Sequence, residues 1–246
     1  MHTKILIAYL VISTNLNKGV ECDVYDEKFI DLYNKAKLES SVASLIEDDL
    51  LSYILDMGFT LTGSKPEQFC NIVYMANDGQ PESQAFLSSY YFFNADFENS
   101  ELWAKKAASN EIPQGWYILG KLYQGVNGIP ENPKLSHDFL LMAAENNHML
   151  AQCEVGNNYR KSYGTSKNMS EAMSWYEASA NNGYDACMYN TAQGYYFGAG
   201  VDKDIEKSIY WATKASATHA KAKAFLDKIQ NNQKSLSTAE KRGDKP

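Results

Sequence analysis

The sequence has no excess of positive charge. Its 23 Lys and Arg residues stand against 30 Asp and Glu residues, which leaves a formal net charge of -7 at pH 7. A nucleic-acid-binding surface needs clustered Lys and Arg to neutralise phosphates, so nucleic acid is not an expected partner. An acidic surface suits solubility or contact with a basic protein instead.

The N-terminus lacks an apolar stretch long enough to cross a membrane. The run Ile5–Ile12 is short, whereas a spanning helix needs roughly 20 apolar residues. Lys4 in front of this run is typical of a secretory signal, so we predict a signal peptide over residues 1–22, export to the periplasm and no integral membrane domain. The alternative is a buried strand or short core helix in a cytoplasmic protein, because no clear A-x-A cleavage site follows.

Cysteine is scarce and is not paired along the sequence. The four residues Cys22, Cys70, Cys153 and Cys187 include no C-x-x-C pair, so neither a zinc site nor a thioredoxin-like centre is predicted. Their even number permits two disulfides in an exported protein. Free, partly buried thiols are the alternative, and the sequence alone leaves both open.

The motifs of metal sites and hydrolases are also missing. No two histidines are spaced i, i+4, and neither a G-x-S-x-G elbow nor a Ser-x-x-Lys motif occurs. The acid pair Asp202 and Asp204 fits a solvated helix start better than acid–base catalysis. We therefore expect no catalytic residue, no metal site and no cofactor. The histidines are expected at the surface: His2, His137, His148 and His219.

The sequence does contain a repeat with a period of 36 residues. Large aromatic residues recur at this spacing: Trp103, Phe139, Trp175 and Trp211. Small residues follow each of them four and five positions later, about one helical turn on, where they let a partner helix approach closely. Tyrosines and glycines keep the same spacing: Tyr123, Tyr159 and Tyr195, then Gly128, Gly164 and Gly200.

Each unit is expected to contain two helices joined by a glycine-containing elbow. In the third unit we predict a first helix over Ala151–Arg160, an elbow over Ser162–Lys167 and a second helix over Met169–Asn181. Gly198 and Gly200 follow a helical segment rather than a strand. This context excludes the G-x-G-x-x-G fingerprint of a dinucleotide-binding site.

The pattern resembles the Sel1-like repeat family, a relative of the tetratricopeptide repeats. The third copy matches the family pattern at Ala151, Val155, Gly156, Tyr159, Gly164, Glu171, Ala172, Trp175, Tyr176, Ala180 and Gly183. The second copy has Phe139 in place of the usual Trp. The resemblance implies an all-α fold, a right-handed α-solenoid of helix-turn-helix repeats with helical caps.

The family register divides the chain into segments. A half-repeat over 66–81 precedes four repeats over about 82–112, 113–148, 149–184 and 185–219. The first full copy departs from the pattern, because Tyr91 and Trp103 are 12 residues apart where later copies have 16, so its elbow is four residues short. We predict a helical cap over 23–65, a C-terminal capping helix over 220–230, and a polar, frayed tail over 231–246.

The same register selects residues that should face a partner. Counted back from the repeated tyrosines, positions −8, −4, −3 and 0 are used in packing, so positions −6 and −2 should point into a groove formed by the first helices. The candidates are Tyr117, Lys121, Cys153, Asn157, Tyr189 and Gln193, with Glu154 on the margin. The alternative is that they are ordinary solvent-facing residues.

The resemblance also implies a class of function. Sel1-like proteins resemble other solenoids in serving as non-enzymatic, protein-binding scaffolds. Exported members include envelope adaptors and bacterial immunity proteins that neutralise secreted antibacterial effectors, and our hypothesis is an immunity protein with such an effector as partner. The alternative is a β-lactam-binding or hydrolysing enzyme, as suggested for some cysteine-rich relatives; the absent Ser-x-x-Lys motif and the absence of a regular cysteine pair in each repeat disfavour it.

Overall fold

The computed structural model describes the backbone of residues 72–242 and the side chains of residues 72–234. A short helical stretch, 72–77, comes first. The helices that follow are α1 (Pro81–Phe93), α2 (Phe97–Ser109), α3 (Pro113–Leu122), α4 (Pro133–Glu145), α5 (Met149–Lys161), α6 (Met169–Asn181), α7 (Asp185–Phe197), α8 (Ile205–Ala215) and α9 (Ala220–Arg242). The predicted signal peptide, N-terminal cap, Cys22, Cys70 and His2 lie outside the described residues.

The helices pack in sequence order, each against the next. The pairs α1 with α2, α3 with α4, α5 with α6 and α7 with α8 each form one repeat unit, and α2, α4, α6 and α8 also pack on the first helix of the following unit. The predicted α-solenoid is therefore confirmed. The second helix of the third unit has the predicted bounds, and its first helix, Met149–Lys161, is longer at both ends than predicted.

Every second helix begins at a side-chain cap of the same register. The caps are Asp96, Asn132, Asn168 and Asp204, spaced by 36 residues. Each carboxylate or amide oxygen accepts a backbone N–H of the first helical turn, for example Lys207 N to Asp204 Oδ1 at 2.9 Å, which satisfies a donor that has no partner within the helix. Asp204 therefore starts a helix, as predicted.

The elbow glycines fit two units together. Gly164 and Gly200 have φ of +67° and +82°, and a β-carbon at either position would overlap a backbone carbonyl, that of Pro133 or of Met169. These carbonyls lie at the start of the second helix of the preceding unit. Glycine is therefore required both for the left-handed backbone and for the close approach of neighbouring repeats.

The first full copy lacks part of this elbow. Three residues, 94–96, connect α1 to α2, whereas seven residues, 162–168 and 198–204, connect the helices of the third and fourth units. The predicted four-residue shortening is thus confirmed. Gly128, the elbow glycine of the next unit, has no neighbour within 4 Å of an added β-carbon.

Small residues allow the helices to pack closely. The positions one turn after the repeated aromatics are fully buried, at 0% exposure: Ala107, Ala143, Ser179 and Ala215. The aromatics themselves are buried at Trp103 and Trp211 and half-buried at Phe139 and Trp175. The core thus runs along the solenoid between the two helix layers, as the repeat predicts.

The last helix is longer than predicted. Ala222, Leu226 and Ile229 are buried, and α9 packs on α8. The helix continues to Arg242, so the prediction of a frayed tail from Asn231 is wrong over residues 231–242. The physical reason is that neither Gly nor Pro interrupts α9 before Gly243, and its Lys, Gln, Ala and Leu residues favour helix.

Candidate functional site

The first helices of successive repeats enclose a groove of about 240 Å³, which we call the first-helix groove. Its walls are formed by Phe92 and Phe93 of α1, Tyr117, Ile118 and Lys121 of α3, Leu150, Cys153, Glu154 and Asn157 of α5, Ala186 and Asn190 of α7, and Tyr184 directly before α7. Most of the predicted partner-facing residues line this one groove, whereas Tyr189 and Gln193 do not. Their role in binding stays a prediction.

Cys153 lies in the wall of the groove but is not a free side chain. It forms a disulfide with Cys187, with 5.8 Å between the two Cα atoms, and the two residues are only 3% and 0% exposed. For this pair the free-thiol alternative is wrong, and Cys153 contributes a buried sulfur rather than a contact group. The bond joins α5 to α7, so it connects two consecutive repeats.

Tyr117 is also more buried than a partner-facing residue should be. Its ring is 5% exposed and stacks on His148, with 4.5 Å between the ring centroids. Truncating Tyr117 would therefore remove core packing as well as any contact with a partner. The accessible polar groups beside it in the groove are those of Lys121, Glu154 and Asn157.

His148 is not a simple surface residue, contrary to expectation. Its Nδ1 accepts the backbone N–H of Ala151 at 3.2 Å and caps α5. Its Nε2, 2.6 Å from Gln114 Oε1, is therefore the protonated nitrogen that donates to this oxygen. Burial lowers the pKa of His148 to about 4, so the ring is neutral at pH 7.

The surface prediction is also wrong for His137. This residue is 4% exposed, its Nδ1 lies 3.3 Å from Asn158 Nδ2, and burial lowers its pKa. The repeat contained a signal for this position: 36 residues later the sequence has Met173, which is buried as well. Register within the repeat therefore predicts burial better than residue type does here.

An ion pair crosses the groove between two repeats. Lys121 Nζ of α3 donates to Glu154 Oε1 of α5 at 3.0 Å, and the two side chains are 24% and 28% exposed. The charges of these two lining residues cancel, so the groove offers no net charge to a ligand. The pair also fixes the relative position of α3 and α5 at the surface.

Asn157 is held by residues of its own repeat. Its Oδ1 accepts from the Tyr176 hydroxyl at 2.9 Å and from Arg160 Nη2 at 3.4 Å. Burial raises the pKa of Tyr176, although Arg160 opposes the shift, and the hydroxyl remains a donor at neutral pH. These two hydrogen bonds hold the oxygen of the Asn157 amide next to Tyr176 and Arg160.

Sequence reasoning missed Asn190 of the groove. Its Nδ2 lies 4.0 Å and 3.9 Å from the sulfurs of Cys153 and Cys187. The available signal was the register, because Asn190 stands 36 residues after Glu154, a residue that was selected.

Tyr189 packs against the C-terminal part of the solenoid, and Gln193 binds to Tyr189. The Tyr189 ring stacks on His219 at 5.1 Å and meets Phe225 of α9 edge-on at 5.8 Å. Gln193 Nε2 donates to the Tyr189 hydroxyl at 3.0 Å. Phe225 follows Tyr189 by one repeat length, so α9 continues the row of first helices past the point where the groove ends.

The described residues were also compared with the requirements of a metal site and of a membrane-spanning helix, and they meet neither. Among the described residues, no group of His, Cys, Asp and Glu side chains is arranged to hold a metal ion. None of the helices within 72–242 is both long and apolar enough to cross a membrane.

Comparison with known proteins identifies the repeats. The Sel1 repeat family matches residues 117–148, 150–184 and 185–217. An uncharacterized protein of Neisseria meningitidis serogroup B, NMB1327, is 29% identical over 135 residues, which cover 54% of this chain. The chain spans only 28% of that relative's length.

Two solved structures are similar to this chain. A crystal structure of a Sel1 repeat protein from Oxalobacter formigenes superposes with a TM-score of 0.60 at 23% identity, over 66% of this chain and 49% of that one. The c5321 protective antigen of uropathogenic Escherichia coli, which displays an SLR fold, is 19% identical over 80% of this chain and 51% of its own, with a TM-score of 0.46. The first of these likenesses supports the fold alone. Residues 117–148, 150–184 and 185–217 thus match the Sel1 repeat family, and the described part of the chain has the α-solenoid fold seen in the Sel1 repeat protein of Oxalobacter formigenes.

Proposed function

We propose that this chain is a protein-binding scaffold and that the first-helix groove is its binding surface. Sel1 repeat proteins are generally protein-interaction scaffolds and are typically non-enzymatic. The observation that carries the proposal is the groove itself, in which four successive first helices contribute aromatic, aliphatic and hydrogen-bonding side chains to one concave site. That mixture is typical of protein interfaces.

The finer proposal is an exported immunity protein that neutralises a secreted antibacterial effector, or a related envelope adaptor. The Cys153–Cys187 disulfide supports export, because disulfides persist in oxidising compartments such as the periplasm. Lys4 and the Ile5–Ile12 run support the same location. The net charge of -7 favours a basic partner protein.

Site-specific photo-cross-linking tests the binding surface. A benzophenone amino acid replaces Lys121 or Asn157 in the groove, or Tyr210, which is 51% exposed on the second helix α8. We expect a discrete protein adduct from the two groove positions and none from position 210. Adducts from position 210 alone would place the binding surface elsewhere.

The identified protein then allows a quantitative test. We expect Lys121→Ala to weaken its binding at least about tenfold, because Lys121 lines the groove. The matched control is Lys105→Ala, which removes the same charge from a surface ion pair with Glu101 on α2 and should leave binding unchanged. Equal effects of both variants would mean that Lys121 acts only through the overall charge of the protein and not through a contact in the groove.

Export and immunity need their own measurements. Mass spectrometry of the protein from its host should find an N-terminus beyond Ser13; an intact Met1 or His2 terminus would contradict export.

A strain without this chain should be killed by sibling cells that secrete the effector, and restoring the chain should protect it. Survival of the deleted strain would contradict the immunity role and leave the adaptor role.

A further inference from the structure

The exposed side of α9 carries three lysines that the described part of the chain does not neutralise. Lys221, Lys223 and Lys228 are all exposed, and none of them forms an ion pair with a described carboxylate. Asp227 is the one acidic residue within 220–234. We call these three lysines the lysine face of α9.

The lysine face is unsuited to the packing of one more repeat. In the earlier first helices the position of Lys228 is held by Gly120, Gly156 and Ala192, at the 36-residue spacing. A β-carbon at Gly120 would overlap Leu140 of the second helix of the same unit, and Ala192 is fully buried. A lysine at this position would keep a second helix at a distance and would have to bury its charge. The lysine face therefore suits contact with a surface of opposite charge.

Local helix stability does not account for these charges. Lys221 and Lys223 lie among the first four residues of α9, where the helix dipole favours acidic side chains. Glu145 is the last residue of α4, where the dipole favours a basic side chain, and that turn contains none. Each charge stands at the unfavourable end of its helix, so a surface of opposite charge would offset an existing cost.

Exposed carboxylates and the lysine face lie along the same edge of the solenoid. This edge is formed by the turns that join one unit to the next, and α9 begins at it after the turn over 216–219. Asp78, Glu111 and Glu145 are exposed in or next to three of the earlier turns. We call these three carboxylates the acidic turn edge. The edge is thus negative along the earlier units and positive at α9.

The whole sequence has the same polarity. Residues 1–200 contain 13 Lys and Arg and 24 Asp and Glu, a net charge of -11, whereas residues 201–246 contain 10 and 6, a net charge of +4. Two elongated molecules with opposite charges along their length attract each other most strongly when they lie antiparallel, because each positive part then meets a negative part. The surface complementary to the lysine face is therefore present on a second copy of this chain.

We propose that two copies of this chain associate side by side and antiparallel, with the lysine face of each copy on the acidic turn edge of the other. The contact occurs twice, as two-fold symmetry requires, so the assembly closes at a dimer. Within 220–234 no large apolar side chain is exposed, so the attraction is mainly electrostatic and weakens as salt is added. This inference is independent of the proposed function of the first-helix groove.

Sedimentation velocity of the purified protein at different salt concentrations tests the association. We expect a dimer at about 10 mM salt, where charges act over about 30 Å, and a monomer at about 1 M salt, where they act over about 3 Å. The direction of this change is diagnostic. Copies that merely share the net charge of -7 would repel each other more strongly at low salt.

Charge reversal on α9 has a matched control. At low salt, Lys221→Glu with Lys223→Glu should raise the dissociation constant of the dimer at least about tenfold. Lys161→Glu with Lys167→Glu changes the net charge equally at exposed positions on the opposite edge, where the α5–α6 elbow lies, and should weaken the dimer far less. Unchanged circular dichroism melting checks that each variant is folded.

Reversal on the other surface allows a rescue experiment. Glu111→Lys with Glu145→Lys makes the acidic turn edge basic, so this variant should also dimerise poorly by itself. Mixed with the variant that carries Lys221→Glu and Lys223→Glu, it restores opposite charges at both contacts. We expect the mixture to form a heterodimer at low salt, although neither variant dimerises well alone.

Several results would overturn the inference. These are a monomer at every salt concentration, an equal loss of dimer in the control variant, or a mixture of the two charge-reversed variants that stays monomeric. Species larger than a dimer would also overturn it, because the antiparallel contact closes on itself. None of these results bears on the cross-linking test of the groove, so the two proposals fail separately.

Discussion

Cys153 of α5 is bonded to Cys187 of α7, 34 residues further along the chain. The bond ties the first helices of two consecutive repeats together where both line or support the groove. In a solenoid each repeat contacts only its neighbours, so a covalent tie between neighbours strengthens the interface through which stability is transmitted. The amide nitrogen of Asn190 lies 4.0 Å and 3.9 Å from the two sulfurs.

Removing the disulfide should destabilise the protein without changing the fold. For Cys153→Ala with Cys187→Ala we expect the free energy of unfolding to fall by about 3 to 4 kcal/mol, the entropy of opening a loop of 34 residues. Urea unfolding of the oxidised wild type and the double variant measures the difference. Equal midpoints would contradict a stabilising role for this bond.

Replacing Thr191 by valine should stabilise the protein. It is fully buried, and among the described side chains its Oγ1 is a buried group without a hydrogen-bond partner. The equivalent positions in earlier repeats hold Leu119 and Val155. Thr191→Val removes the unsatisfied hydroxyl at nearly constant shape, so the free energy of unfolding should rise by about 1 kcal/mol.

Ser208 is the contrasting case for that experiment. Its hydroxyl is equally buried but donates to the Ala192 carbonyl at 2.8 Å, which ties α8 to α7. Ser208→Ala should therefore lower the free energy of unfolding by about 1 kcal/mol. If both substitutions shift thermal or urea unfolding in the same direction, hydrogen-bond satisfaction does not account for them.

The elbow glycines should differ in their tolerance of alanine. Gly200 and Gly128 have similar φ, +82° and +87°, so both variants carry the left-handed backbone cost of about 1 to 2 kcal/mol. Only at Gly200 does the new β-carbon overlap the Met169 carbonyl. Gly200→Ala should cost at least about 3 kcal/mol, measured by urea unfolding. Equal losses at both positions would mean that the contact between repeats contributes nothing.

Stability should fall on acidification between about pH 6.5 and 4, the ordinary and lowered pKa of His148. In this range the unfolded chain binds a proton at His148 that the folded chain does not, so stability is complete above the range and is lost as pH falls through it. The loss amounts to about 3 kcal/mol from this residue.

His148→Asn isolates that contribution. Asparagine can still cap α5 but does not titrate, so the variant should lose markedly less stability than wild type between pH 6.5 and 4. Some dependence should remain because burial also lowers the pKa of His137. Parallel pH profiles of the free energy of unfolding in the two proteins would contradict the assignment.

The sequence by itself determined the repeat architecture. The 36-residue spacing of aromatic, small and glycine residues fixed the helix pairs, the elbows and the packing positions, because these features depend on helical periodicity within one unit. The shortened first elbow was visible for the same reason. The helix caps follow the same 36-residue spacing, at Asp96, Asn132, Asn168 and Asp204. Of these four, the sequence analysis placed only Asp204 at a helix start.

Tertiary structure decided which candidate residues remain available to a partner. The repeat register places Tyr117, Cys153 and Tyr189 in equivalent positions. In the structure, however, Tyr117 stacks on His148, Cys153 is bonded to Cys187, and Tyr189 packs on Phe225 of α9. Each of these neighbours comes from another helix, and its position depends on how consecutive units rotate and approach. Periodicity along one helix contains no information about that geometry, so the disulfide and the surroundings of His137 and His148 emerge only when the repeats are stacked.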